Sequence, residues 1–297
     1  MKEKKNSSFT AETWRQFKKN KLAVAGMILI ILLCFMAVFA DYIAPYPYDL
    51  QDHSASFAGS SREHLLGCDK LGRDLLSRLI YGSRESLKLG ITASLLAAVT
   101  GVTLGMIAGY FGGLVDDLIM RFIDVYQSIP TLLFCICISA VLGMGTTSAI
   151  IAIGLVSVGS FARLLRASVM TAKETEYVEA ARAIGAGKLR IMVKHILPNS
   201  ISPIIVNFTM KLGVCVQFGA TMSYLGMGSQ PPIPEWGTML AEGRNYMRMN
   251  PMLVVYPGIF IMLAVLAFNL MGDGVRDAMD PVSYTHLRAH ETKANLV

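Results

Sequence analysis

The stretch LAVAGMILIILLCFMAVFA, residues 22–40, carries no charge between Lys21 and Asp41. A helix needs about 20 mostly apolar residues to cross the hydrocarbon core of a bilayer. This run meets that length and exceeds the roughly 7–15 apolar residues of a cleaved signal peptide. We therefore expect an uncleaved membrane helix at this position.

The composition of the whole chain agrees with a membrane protein. Of its 297 residues, 53% are hydrophobic and 16% are charged, and its mean hydropathy is +0.49. An average soluble domain has about 25% charged residues. The charges lie in blocks between long apolar stretches, which excludes a disordered chain, a disulfide-stapled secreted domain and a compact nucleic-acid binder.

Six segments are long and apolar enough to cross the bilayer, which predicts an all-α integral membrane fold with six transmembrane helices. Pro130 falls inside the third segment and predicts a kink, because proline lacks a backbone N–H. Leucine and isoleucine share one helical face over residues 71–80, which predicts a short interfacial helix before the second span. The six segments are residues 22–40, 89–110, 118–143, 146–161, 199–225 and 252–271.

The distribution of basic residues indicates the orientation of these spans. If the N-terminus is cytoplasmic, sixteen lysines and arginines lie in inside segments and eight lie in outside segments. We therefore expect both termini in the cytoplasm. The net charge of +6 then needs no nucleic acid, because anionic membrane lipid of the inner leaflet accounts for it. Within the basic segment 1–21, residues 9–21 form either an amphipathic surface helix or a mobile tail.

Small residues recur at every fourth position of the second span. That spacing places them on one face of the helix and lets another backbone approach closely. Because glycine costs about 1 kcal/mol in a helix interior, three glycines in this row require a packing partner. Another helix of the same chain is favoured over an intersubunit seam. The residues are Ala93, Ala97, Gly101, Gly105 and Gly109.

Charge spacing outside the spans predicts local ion pairs. Asp74 and Arg78 lie four residues apart and can pair on a helix. Arg121 is likewise spaced to pair with Asp117 and with Asp124. Both arrangements are expected to be structural.

Residues 230–237, QPPIPEWG, cannot be helical throughout, because three prolines remove donors and fix φ. Trp236 is expected to be an interfacial anchor, since tryptophan concentrates at membrane–water boundaries. The loop is placed to cover the outer mouth of a pathway.

Lys211 is a cation in the middle of the fifth span. Intramembrane charges are functional candidates by default. Lys211 either lines a pathway and meets a carboxylate, or forms a structural pair across a subunit interface, and the structural reading is favoured. The spans contain no catalytic or metal motif such as HExxH, so an intramembrane enzyme is disfavoured and no metal site is expected.

Residues 171–199 form a polar segment between the fourth and fifth spans. Helix formers up to Ile184 followed by Gly185 predict a short helix that ends in a glycine bend. A second short amphipathic helix should follow, and Pro198 should begin the next span. Two alanines on a solvent-facing helix leave a flat patch, which predicts a docking element for another protein.

The same segment resembles the EAA loop of ABC-importer permeases. It has Glu179-Ala180-Ala181, Gly185 four residues later, and Leu197-Pro198 after a further interval. Four other segments are similar to the dipeptide/oligopeptide/nickel permease family, so the resemblance covers residues 12–281. They are residues 66–87, 109–124, 223–237 and 269–281.

This resemblance implies an ABC importer permease fold in a bacterial or archaeal cell membrane. The expected partners are a homologous second permease, two cytoplasmic ATPase subunits and an external solute-binding protein. The expected solute is a di- or oligopeptide, with nickel or a nickel chelate as the alternative. By the same resemblance, a coupling loop that enters a cleft of an ATPase subunit contains Glu179, Ala180, Ala181, Gly185, Leu197 and Pro198.

The sequence lacks the GxxxxGK[ST] phosphate-binding motif. We therefore expect that the chain is not an enzyme and binds no cofactor, and that ATP and Mg²⁺ are bound by the ATPase subunits. A channel or secondary transporter would not need the docking segment and is disfavoured. One departure concerns Gly219, where the family is expected to carry a glutamate.

Four regions follow from these observations. Residues 1–21 are a cytoplasmic basic segment, and residues 22–88 hold the first span and an external loop with the interfacial helix. Residues 89–281 form the permease domain, with the coupling loop at 171–199. Residues 282–297, VSYTHLRAHETKANLV, resemble translated cloning sequence, with a native disordered tail as the alternative.

Overall fold

The computed structural model describes residues 9–279, and this part of the chain is helical with no named strand. Two short 3₁₀ turns, His53–Ala55 and Arg244–Tyr246, and a π-helical turn, Ile191–Ile196, complete the regular structure. The α-helices are α1 (Phe9–Lys19), α2 (Lys21–Val38), α3 (Ala40–Ile43), α4 (Leu75–Phe111), α5 (Gly113–Gln127), α6 (Thr131–Leu142), α7 (Thr146–Ala172), α8 (Glu176–Ala183), α9 (Lys188–Arg190), α10 (Leu197–Tyr224), α11 (Trp236–Gly243) and α12 (Met252–Met279).

The predicted all-α membrane fold is confirmed. Within residues 9–279, α2, α4, α7, α12 and the continuous stretch Lys188–Tyr224 are each long and apolar enough to span a membrane. Helices α5 and α6 are together also long and apolar enough to span a membrane, although they are bent by 92° relative to each other. The bundle therefore has five candidate spans, and a sixth, which we call the broken span, if α5–α6 crosses as one bent unit.

The kink predicted at Pro130 corresponds to the break between α5 and α6. The chain leaves α5 after Gln127 and starts α6 at Thr131, so Pro130 directly precedes α6. Proline cannot donate to the preceding turn, and the predicted kink is a complete break. The two halves lead from the end of α4 to a point beyond the end of α10, where Gly145 N–H donates to Met227 O (3.2 Å).

Helix α4 differs from the prediction. We expected a separate interfacial helix over residues 71–80, but a single helix of 37 residues starts at Leu75. Asp74 caps it by accepting a hydrogen bond from Ser77 N–H (2.7 Å). At 1.5 Å per residue the helix is about 55 Å long, well beyond the roughly 30 Å hydrocarbon core. Its first turns therefore project from the bilayer.

The small-residue face of α4 packs against α7 of the same chain. A Cβ atom on Gly101 would lie 2.5 Å from Phe161 Cβ, and one on Gly109 would lie 2.9 Å from Arg166 O. Gly105 faces the backbone of Ala162 in the same way. Because these three glycines have no side chain, the backbones of α4 and α7 can come into direct contact.

The two ends of the described chain meet. Phe17 on α1 is 5% exposed and packs with Ala23 and Ala278. Asn20 Nδ2 donates to Asp277 Oδ2 (3.3 Å) on α12. Residues 9–19 are helical, so of the two alternatives for this segment the helix is correct. The predicted tail at 282–297 lies outside the described residues.

Candidate functional site

The inner face of α8 anchors the predicted coupling loop, residues 171–199, to the bundle. Val178 is fully buried and Ala181 is only 4% exposed. Both pack in one cluster with buried residues of the following turn, of α7 and of α10. The predicted flat patch of two exposed alanines is therefore wrong for Ala181. Neighbouring residues point about 100° apart on a helix, so only Ala180 faces outward.

The outer face of the loop exposes apolar side chains at its tip. Ile184 is 84% exposed and Leu189 is 72% exposed. Glu179, Ala180 and Arg182 on α8 are also exposed. Exposed apolar groups rimmed by charges are available for contact with another protein or with the membrane surface.

Gly185 ends α8 with φ +79°, a conformation that favours glycine. Its N–H donates to Arg182 O (2.9 Å), and Ala186 N–H donates to Ala181 O (3.0 Å). These bonds form a glycine-terminated helix end, as the sequence predicts.

The loop continues into α10 without a break. The expected separate helix is instead α9 followed by the π-helical turn Ile191–Ile196. Pro198 lies in the first turn of α10 and has no N–H for the carbonyl four residues earlier. Leu197 N–H donates to Met192 O, five residues back. Residues 188–224 therefore form one continuous helical unit.

A cavity of about 330 Å³ lies between the broken span, α7 and α10. We call it the cationic cavity, because Lys211 and Arg163 both line it and none of its lining residues is acidic. Sequence reasoning identified Lys211 and missed the rest of the lining. The spacing of Ser157, Ser160 and Arg163 on one helical face was the available signal. The other polar residues of the lining are Tyr126, Gln127 and Thr131.

Two acids of α5, Asp116 and Asp124, pair with α7 and not within their own helix. Arg163 Nη1 donates to Asp124 Oδ1 (2.8 Å), and Arg166 forms an ion pair with Asp116. Within residues 9–279 no ion pair joins Arg121 to Asp117 or Asp124, so the predicted local pairs are wrong. The arginines of α7 reach the acids from the adjacent helix.

At the opposite end of the bundle from the coupling loop, four side chains form an outer charge cluster. Arg73 Nε donates to Asp69 Oδ2 (2.6 Å), and Arg78 pairs with the same oxygen. Both arginines also contact Glu242 Oε2 at 3.0 Å. Burial raises the pKa of Asp69, but Arg78 and Arg73 outweigh it and hold that pKa below the usual range.

The predicted pair Asp74–Arg78 is replaced by two non-local contacts. Asp74 Oδ1 lies 3.0 Å from His64 Nδ1, and its other oxygen caps α4. Arg78 turns toward the outer charge cluster. The cluster ties the loop before α4 to α11.

Trp236 is a buried core residue, so the prediction of an interfacial anchor is wrong. Its ring is fully buried, and its Nε1–H donates to Leu79 O (3.1 Å). Glu235 beside it accepts hydrogen bonds from Ser86 Oγ–H (2.8 Å) and Thr238 N–H (3.0 Å). Burial raises the pKa of the Glu235 carboxyl. The prolines do keep residues 230–234 out of helix, and the loop closes over α4.

Gly219 faces α4. A Cβ atom there would lie 3.2 Å from Leu89 Cγ and closer still to a methyl group of the same side chain. A glutamate has no room at this position, so the departure from the expected family residue agrees with the packing. Among residues 9–279, no group of three or more His, Cys, Asp or Glu side chains could hold a metal ion.

A multispan helical bundle with an exposed polar loop at one end and a polar cavity among its spans is an architecture expected of a membrane permease. The family of binding-protein-dependent transport system inner membrane components matches residues 101–282. The N-terminal transmembrane domain of oligopeptide transport permease C matches residues 8–59. The chain belongs to the family of binding-protein-dependent transport system inner membrane components.

Curated relatives extend over nearly the whole chain. The glutathione transport system permease protein of Pectobacterium atrosepticum is 42% identical over 271 residues, which are 91% of this chain and 90% of the relative. The dipeptide transport system permease protein of Alkalihalophilus pseudofirmus is 44% identical over 270 residues, 91% and 89% of the two chains. That of Haemophilus influenzae is 43% identical over 276 residues, 91% and 94%.

The fold is similar to that of a solved importer. A structure of the inward-facing MetNI methionine ABC transporter aligns with a TM-score of 0.55 at 20% identity, covering 69% of this chain and 97% of the other. The protein is therefore a permease subunit of an ABC importer in the inner membrane, and not an enzyme. Such a subunit works with an ATPase and a solute-binding protein.

Proposed function

We propose that this chain and a homologous second permease form the translocation pathway for di- and oligopeptides. An external binding protein delivers the peptide, and two cytoplasmic ATPase subunits drive transport. The names of the relatives support a peptide solute, because they concern dipeptides and glutathione, itself a tripeptide. The nickel alternative is not favoured by these relatives.

One observation carries the coupling role: the anchored α8 joins the loop tip to both helices of the cationic cavity. The buried cluster beneath α8 includes Leu165 on α7 and Ile204 on α10. Packed protein interiors have low compressibility and transmit strain. A push on the tip therefore displaces the helices that carry Arg163 and Lys211.

In this mechanism ATP and Mg²⁺ belong to the ATPase subunits, and this chain binds no cofactor. Closure of the ATPase pair moves the clefts that hold Glu179, Ala180 and the tip at Gly185. Leu197 and Pro198 lie where the loop enters α10, so they transmit the displacement. Alternating access follows from that rigid-body motion.

The coupling role predicts that Glu179→Lys or Gly185→Asp blocks uptake while the protein still inserts. The first variant reverses an exposed charge at the contact. The second puts a side chain at φ +79°, which is strained, and adds a charge at the tip. We expect at least about a tenfold loss of uptake, which corresponds to roughly 1.4 kcal/mol.

The measurement is peptide uptake by membranes that contain matched amounts of each variant with its partner subunits. Asp273→Lys, which reverses an exposed charge on α12, is the control and should retain uptake. Normal uptake by both loop variants would remove the coupling role. Crosslinks from a cysteine at position 179 should reach the ATPase subunit.

A further inference from the structure

Lys211 lines the cationic cavity without a counter-ion. Within residues 9–279 it has no ion pair and no hydrogen bond through its side chain. It is half-buried in the middle of α10. A cation at membrane depth is costly unless it meets an anion or water-filled space, so the cavity must supply a partner for it.

The lining of the cavity favours an anion. Arg163 adds a second cation, and its partner Asp124 is 65% exposed at its side chain. The remaining polar groups are hydroxyls and an amide, which donate hydrogen bonds as readily as they accept them. The lining therefore carries an unpaired Lys211 and an Arg163 that is paired with Asp124, and none of the lining residues is acidic.

The broken span adds a third positive element. Helix α6 begins at Thr131, which lines the cavity, and the start of α6 has no side-chain cap. The N–H groups of the first turn of a helix are unsatisfied within the helix and carry its positive dipole end. Half-helices that begin within a membrane bind anionic substrate groups in this way.

We propose that the cationic cavity binds a carboxylate of the transported peptide, with Lys211 as its principal partner and Arg163 and the start of α6 as supporting positive groups. This inference rests on the proposed peptide function. A volume of about 330 Å³ is at the small end of ligand pockets, roughly 300–1,000 Å³. It fits a dipeptide or the carboxyl end of a longer peptide.

Open space beside Lys211 favours a transported carboxylate over a fixed acid of the second permease. A structural ion pair is stabilised when its geometry is closed and its remaining hydrogen bonds are satisfied. Here Lys211, which lines the cavity, has no ion-pair partner among the described residues. The site therefore has unused donors, as a transient ligand requires.

The test compares a peptide that has a free C-terminal carboxylate with the same peptide amidated at that end. Uptake is measured in vesicles containing the complete importer and a saturating amount of the binding protein. The variants are wild type, Lys211→Met, Lys211→Arg and, as the matched control, Lys88→Met, whose lysine is exposed at the other end of the bundle. The measured quantity is the ratio of acid to amide uptake for each variant.

We expect wild type to prefer the acid by roughly tenfold, the effect of one charge-assisted hydrogen bond. Lys211→Met should lower the acid-to-amide ratio by that factor relative to wild type, whereas Lys211→Arg and Lys88→Met should keep most of the wild-type ratio. The contribution of the binding protein is the same in every variant, so it cancels. Ser160→Asp places an acid in the same cavity, and it should also abolish the preference.

An unchanged ratio in Lys211→Met overturns the proposal, and reduced assembly of that variant would then assign Lys211 to a structural pair between the permeases. If Lys211→Met does not assemble, Ser160→Asp decides, and a preserved ratio there overturns the proposal. Wild-type uptake of both peptides without preference overturns the carboxylate site but leaves the peptide function standing. Failure of wild type to take up either peptide refutes the peptide function and, with it, the proposed carboxylate site.

Discussion

Asp69 is the acid on which two buried arginines depend. Arg73 and Arg78 are 3% and 2% exposed at their side chains, and both lie against Asp69. Removing one partner of a buried charge group leaves the others uncompensated and costs about 3–5 kcal/mol. Asp69→Asn should lower the stability of the purified protein by about that amount at neutral pH.

Thermal and denaturant unfolding in detergent measures this loss. Asp49→Asn, at an exposed acid of the same segment, is the control and should change stability by less than about 0.5 kcal/mol. The pKa of Asp69 is lowered in the folded state, so its contribution is complete above the usual carboxyl pKa and is lost as the pH falls through the folded value. The difference between wild type and Asp69→Asn should therefore shrink in acid. A difference that persists at low pH would contradict this account.

Sequence spacing was a poor guide to individual charge partners. The four-residue rule paired Asp74 with Arg78 and Arg121 with its neighbours, whereas the structure gives these acids partners from distant segments. Local spacing shows only that two side chains can meet on an isolated helix. A residue from a packed neighbour can offer a better buried geometry, and a single sequence does not reveal it. Trp236 was wrongly predicted as an interfacial anchor because a single sequence also does not reveal which segments bury its ring.

Elements were predicted better, because each depends on local chemistry. The apolar runs and the glycine end of α8 appear in the structure, and the kink predicted at Pro130 appears as a break. The exceptions are the two places where helices are longer than expected, at the start of α4 and before α10. In both, no residue forces the helix to stop, and packing against other elements extends it.

The α4–α7 contact leads to a prediction about helix packing. Gly101→Ala should destabilise the protein by about 1–3 kcal/mol, because its Cβ would lie 2.6 Å from Val158 O and the backbone cannot move aside cheaply. Gly258→Ala is the matched control, since a Cβ atom at this helical glycine meets nothing within 4 Å. It should leave stability unchanged or raise it by up to about 1 kcal/mol. Unfolding midpoints of both variants in detergent measure the effect, and equal midpoints would show that α4 and α7 are not in backbone contact.

For the whole molecule, the contacts determine which segments share an end of the bundle. Lys188 of the coupling-loop end lies 5.6 Å from the ring of Phe111, at the end of α4. The outer charge cluster and Trp236 hold the other end together. Since α1 packs on the last turns of α12, both described chain ends lie on one side. The sequence did not predict which segments share an end of the bundle. It supplied only the balance of basic residues, which predicts the orientation of the spans.

The orientation of the bundle is the last prediction. Sixteen basic residues against eight place the coupling loop and both termini in the cytoplasm. In a background without the five native cysteines, a membrane-impermeant maleimide added to intact cells should label Ser61→Cys and Met144→Cys. Leu114→Cys and Glu174→Cys should react only after permeabilisation. Positions 114 and 144 flank the broken span, so labelling of both from one side would show that α5–α6 re-enters the membrane instead of crossing it. External labelling of position 174 would invert the bundle, and an ATPase in the cytoplasm could then not reach the loop.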